Sequence, residues 1–117
     1  MADIKKWKKR ALAFLEEKEN TWDLAFCYIE EEDWEELFNM IKQSFYIDIL
    51  ILDGNPLNNK GIYCLAEYIR ELDTGDDGAI DTLDIRSCSV GDEEMEILCE
   101  SLKKNNSIAE IDISSNC

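Results

Sequence analysis

The sequence predicts an α/β fold of short parallel strands with helices outside them, entered through an all-helical segment. Three observations predict it. An apolar register recurs three times in the C-terminal half, as Ile47, Leu50, Leu52 and Leu57, then Ile80, Leu83, Ile85 and Val90, then Ile108, Ile111 and Ile113. Helical spacing recurs between those registers, where Ile62, Leu65 and Ile69 are matched by Met95, Leu98 and Leu102, with Ala66 and Cys99 aligned. Before Phe45 the apolar spacing is helical throughout.

The first 46 residues carry three apolar stripes. Ile4, Trp7, Ala11, Phe14 and Leu15 form one, Trp22, Phe26 and Ile29 a shorter second, and Trp34, Leu37, Phe38, Ile41 and Phe45 a third. Asn20 and Asp33 stand where N-caps are expected, and Glu36 follows Asp33 at capping-box spacing. Residues 1–46 therefore read as an N-terminal cap of two or three packed helices, with the three tryptophans in its core. Residues 47–117 read as repeats, 47–79, 80–107 and a partial 108–117. A short strand and one helix cannot bury their apolar faces alone, so such units stack and share a core. Asn55, Cys88 and Asn116 fall at the turn that leaves each strand, where a polar side chain can bond the turn backbone.

These segments share the form L-x-x-L-x-L-x-x-N/C-x-L, and they resemble leucine-rich repeats of the ribonuclease-inhibitor type. The period from Ile80 to Ile108 is 28 residues and that from Ile47 to Ile80 is 33, the five extra falling in the loop DTGDDG. The resemblance covers 47–117. It implies a short solenoid with parallel strands on a concave face, helices outside, and the N-terminal helices covering the first open edge. It also implies partner binding on the concave face, at the x positions of x-x-L-x-L-x-x. In this chain those are Asp48, Ile49, Ile51 and Asp53, then Asp81, Thr82, Asp84 and Arg86, then Ala109, Glu110, Asp112 and Ser114. The set is acidic, so a protein partner with a basic surface is expected. Ran GTPase-activating proteins, tropomodulin-like actin regulators and intracellular sensor receptors use the same repeat type. A fragment of a GTPase- or actin-regulating repeat protein is thus an alternative, and no residue selects among them.

Charge narrows the partners further. The 117 residues carry a formal net charge of -15, and residues 11–117 hold 7 basic against 26 acidic side chains. That surface repels nucleic acid, and the polar interruption EEKE after ALAFL leaves nothing of membrane-spanning length. The basic segment KKWKKR is expected to lie against acidic parts of its own chain, such as EEEDWEE at 30–36. Five cysteines, Cys27, Cys64, Cys88, Cys99 and Cys117, show no paired spacing and read as reduced thiols, buried at least at Cys27, Cys64 and Cys99. An intracellular, cytoplasmic protein is expected.

Catalysis has no visible machinery: histidine is absent, no nucleophile motif or phosphate loop occurs, and neither enzyme activity nor a cofactor is expected. One alternative function is a calcium-responsive regulator. Asp73, Asp77, Gly78 and Asp84 fall at positions 1, 5, 6 and 12 of an EF-hand loop. Gly75 offers no oxygen at position 3, however, and Ile85 to Gly91 is poor helix sequence. The strand at Ile108 to Ile113 has no following helix, so a homodimer through this C-terminal edge is a further expectation.

Overall fold

The computed structural model describes residues 3–72, 79–103, 105 and 107–116. Among these residues four parallel strands, β1 (Thr21–Asp23), β2 (Ile49–Ile51), β3 (Thr82–Asp84) and β4 (Glu110–Asp112), form one sheet in chain order. Four helices, α1 (Lys6–Glu16), α2 (Trp34–Lys42), α3 (Asn58–Glu71) and α4 (Asp92–Lys103), pack in the same order, each against the next. A 3₁₀ turn, Glu31–Asp33, leads into α2.

The core follows from the strand period. Trp22, Leu50, Leu83 and Ile111 are lateral neighbours across the sheet, and the first three are fully buried. Leu24, Leu52 and Ile85 make a second buried row, and Ile62, Leu65, Ile69 and Leu98 meet it from the helices. Met95, Leu102, Ile108 and Ile111, in the last unit, are only partly buried. In α3, a Cβ at Gly61 would come within 3.0 Å of the buried Trp34 indole, so close packing there offsets the helix cost of glycine.

Several sequence expectations fail, the largest in the N-terminal segment. The N-terminal segment is not all helical, because Thr21–Asp23 is a strand paired with β2 where a helical stripe through Trp22, Phe26 and Ile29 was expected. Trp22, Leu24, Cys27 and Ile29 are buried and Phe26 is exposed, which is the burial of a strand and its turn. This segment repeats the later ones at a spacing of 28, with Trp22, Leu24, Cys27 and Ile29 in the places of Leu50, Leu52, Asn55 and Leu57. Glu19 stands where Ile47 opens the next register, and so breaks the apolar pattern at its first position. Asn20 accordingly caps no helix: its side chain donates to Tyr46 O at 2.8 Å.

Asparagines bind each turn to the one before. Asn55 Oδ1 accepts from Cys27 N and Ile29 N, both at 3.1 Å, while Nδ2 donates to Leu24 O and Leu52 O at 2.8 and 2.9 Å. Asn116 repeats the pattern with Cys88 N, Val90 N, Ile85 O and Ile113 O. Cys88, in the equivalent place, donates its thiol to Leu52 O at 3.2 Å. The capping box also forms one turn earlier than expected. Asp33 accepts from Glu30 N at 2.9 Å, and Glu36 instead pairs with Lys8. Cys27, Cys64, Cys88 and Cys99 are free, but Cys99 is exposed because α4 turns it outward, and Cys64 is only half-buried.

Candidate interaction face

Alternation along each strand puts one side chain in the core and the next on the face turned away from the helices. Register then fixes lateral rows on that face. Thr21, Ile49, Thr82 and Glu110 form one row, and Asp23, Ile51, Asp84 and Asp112 the next. The ladder continues beyond the strands: Asn20 O accepts from Asp48 N, Asp48 O from Asp81 N, and Asp81 O from Ala109 N, at 2.7 to 2.8 Å. At the other end Gly54 N donates to Arg86 O, and Ser87 N to Ser114 O, which brings Asp53, Arg86 and Ser114 level. The structure therefore brings Asp48, Ile49, Ile51, Asp53, Asp81, Thr82, Asp84, Arg86, Glu110 and Asp112 onto one surface.

They are not equally available. Asp48, Asp81, Arg86, Glu110 and Asp112 are exposed, and Ile49, Ile51, Thr82 and Asp84 are half-buried. Asp53 is only 8% exposed. Arg86 accounts for this, because its Nη2 lies 2.8 Å from Asp53 Oδ2 and its Nε lies 3.0 Å from Asp84 Oδ1 and 3.6 Å from Asp112 Oδ2. One guanidinium thus bridges β2, β3 and β4. A shallow trough between β3 and β4 is lined by Thr82, Asp84, Ala109, Glu110 and Asp112.

Burial, followed by the neighbouring Asp84, pushes the Asp53 carboxyl up to about 6. Burial acts the same way on Asp84, but contacts with Asp53 and Arg86 outweigh it and hold that group below its ordinary range. Since the native state keeps a proton on Asp53 that the unfolded chain releases, this group stabilises the fold below the ordinary carboxylate range. Its contribution fades as pH rises through about 6. Asp84 works oppositely, losing its contribution as pH falls below that range. Asp53→Asn mimics the protonated form. Chemical denaturation at a series of pH values should show wild type losing stability relative to the variant between about pH 4 and 6, by no more than about 1.4 kcal/mol per pH unit. A pH-independent difference would mean that Asp53 titrates normally.

The strand at Thr21–Asp23 adds Asn20, Thr21 and Asp23, which the sequence reading left out of the face. The signal that could have found them is Trp22-x-Leu24-x-x-Cys27-x-Ile29. Of the calcium reading, Asp73 and Asp77 lie outside the described residues. Asp84 sits in β3 rather than before a helix, and the next helix begins at Asp92. Among the described residues no group of acidic or cysteine side chains is placed to hold a metal ion.

The basic segment lies on its own chain. Lys5 Nζ is 3.0 Å from Asp33 Oδ1, 3.3 Å from Glu30 and 3.2 Å from Glu32, and Lys8 is 2.7 Å from Glu36. The Asp33 contact, chiefly, pushes the Lys5 ammonium up. No helix among the described residues is long and apolar enough to cross a membrane.

No family model matches the chain. It is 29% identical over 93 residues to the mouse protein named NACHT, LRR and PYD domains-containing protein 12, an alignment that takes in 80% of this chain. The chain is thus similar to a stretch amounting to 8% of that protein's length.

Proposed function

We propose that the chain is a non-enzymatic protein-interaction module of the leucine-rich-repeat type, a short cytoplasmic solenoid whose strand face receives a cationic surface of a partner protein. One observation supports this most. Asp23, Asp48, Asp81, Asp84, Glu110 and Asp112 share that face, and Arg86, its one cation among the described residues, is already engaged by three carboxylates. The half-buried Ile49 and Ile51 in their midst supply apolar area that a partner can cover. Similarity to a protein whose name includes LRR domains points the same way. A homodimer through β4 is the less favoured use of this region, since Glu110 and Asp112 would bring like charges together from both copies.

The test is a pull-down from cell extract with wild type and a Glu110→Lys/Asp112→Lys double variant. Both residues are exposed, so the fold should tolerate the change. Proteins captured at low salt should be lost both in the variant and as ionic strength rises. Bands that persist in the variant at every salt would remove the face from the function.

A further inference from the structure

We propose that a ledge formed by Phe26, Tyr28 and Pro56, where the chain leaves β1 and β2, docks a short peptide segment of a partner that carries arginine or lysine beside apolar residues. The site is distinct from the sheet face and does not depend on it.

Comparison of the four units carries the argument. At the first turn position after each strand the backbone is left-handed in every unit, with φ of 52° at Phe26, 73° at Gly54, 54° at Ser87 and 59° at Ser115. Two residues later Tyr28 and Ser89 repeat it, at 56° and 55°. Glycine suits such a position and small polar residues tolerate it, while a bulky aromatic there is an outlier. The third and fourth units use serine. The first unit places two aromatic rings at these positions and buries neither: Phe26 is 63% exposed and Tyr28 81%. Core packing therefore does not explain them. Phe26 lies so close on Gly54 that a Cβ there would overlap its ring, and this contact holds the ring in place on the surface.

Beside the Tyr28 ring is a trough of about 480 Å³ lined by Tyr28, Ile29, Glu30, Glu31, Pro56 and Asn58. Its charge selects the occupant. The lining contains two carboxylates and no cation; Glu30 is shared with Lys5, while Glu31 is exposed and makes no ion pair among the described residues. An arginine or lysine can lie over the Tyr28 ring next to Glu31, and an apolar neighbour can rest on the exposed Pro56. A second copy of the chain is a poor occupant, because two bodies of -15 repel.

The test uses Phe26→Ser and Tyr28→Ser, which install the residue that the later units carry. The probe is a fluorescein-labelled peptide of Arg, Leu and Pro, read by anisotropy. Two controls replace its Arg by Glu, or its Leu and Pro by Ser. Wild type should bind the Arg-Leu-Pro peptide with a dissociation constant on the order of 10⁻⁵ to 10⁻⁴ M, and both controls at least tenfold more weakly. Tyr28→Ser should lose tenfold or more, and the Glu110→Lys/Asp112→Lys protein should bind as wild type does. Equal binding by wild type and Tyr28→Ser would reduce the effect to bulk charge and overturn the ledge. Loss in the sheet-face variant alone would also overturn it, while leaving the sheet-face reading intact. A wild-type dimer in sedimentation that Tyr28→Ser dissociates would make a second copy the occupant, and the proposal would fail. Thermal unfolding guards the interpretation: both serine variants should melt within a few degrees of wild type, and a fall above about 10 °C would show that the rings are structural.

Discussion

Asn55→Ala should lower the stability of the chain by about 3–5 kcal/mol, a large share of the roughly 5–15 kcal/mol that a domain ordinarily has. The side chain is fully buried and makes five hydrogen bonds, the weakest to Asp53 O at 3.3 Å. Alanine leaves the Cys27 and Ile29 amides inside without an acceptor, and the desolvation of such groups dominates the cost. Asn55→Cys should be intermediate, and the chain itself shows why. Where the following unit carries Cys88, the turn at Asn55 to Leu57 has rearranged so that Leu57 N donates to the Cys88 carbonyl and Asn55 N to Leu52 O. A turn at 26–29 facing a cysteine could recover some bonds by the same shift. Thermal unfolding should place the melting temperatures in the order wild type, Asn55→Cys, Asn55→Ala, with the last about 10–20 °C below the first. An alanine variant within 2 °C of wild type would mean that water fills the gap and that the asparagine is not a structural tie.

The bond that makes this prediction strong was half legible in the sequence. The spacing of Asn55, Cys88 and Asn116 after the apolar pairs marked a turn position, but which backbone groups they reach depends on how units stack. Asn55 crosses to the preceding unit at Leu24, Cys27 and Ile29. Strands β2, β3 and β4 and helices α3 and α4 were legible because period 2 and period 3.6 alternate cleanly after Phe45. Strand β1, no shorter than the others, was not, because Glu19 removed the register's opening residue and Trp22, Phe26 and Ile29 also fit a helical spacing. For the same reason Phe26 was read as a core position and is instead a ledge on the surface. On the sheet face, residue positions followed from alternation, but the burial of Asp53 did not. It needs Arg86 to reach across from the next strand, and that reach is set by parallel pairing rather than by any local pattern.

Leu83→Asp should leave most of the chain unfolded at neutral pH. Leu83 is fully buried in β3, with Leu50 on one side and Ile111 on the other, and no described polar group replaces the water that a carboxylate there would lose. An unpaired charge in such a layer costs several kcal/mol beyond the lost packing of leucine, which together match the whole stability of an ordinary domain. Tryptophan emission reports the outcome, since Trp7, Trp22 and Trp34 are all buried and should shift to the red together. Lowering the pH should restore part of the native signal by neutralising the introduced carboxyl and reducing the repulsion within a chain of -15. Ile111→Asp is the informative contrast. It makes the same chemical change in the same lateral row, but in β4, at the open edge and already half-buried. Among the described residues, contacts between elements stay within a unit or run to a neighbouring one, as α1 to α2, α2 to α3, α3 to α4, and each strand to the next. Damage at the last unit should therefore stay local, fraying β4 and the Asn116 bonds while the tryptophans, all in the first 34 residues, keep their native emission. If Ile111→Asp instead unfolds the chain as completely as Leu83→Asp, the four units form one indivisible core, and stability does not add up from unit to unit.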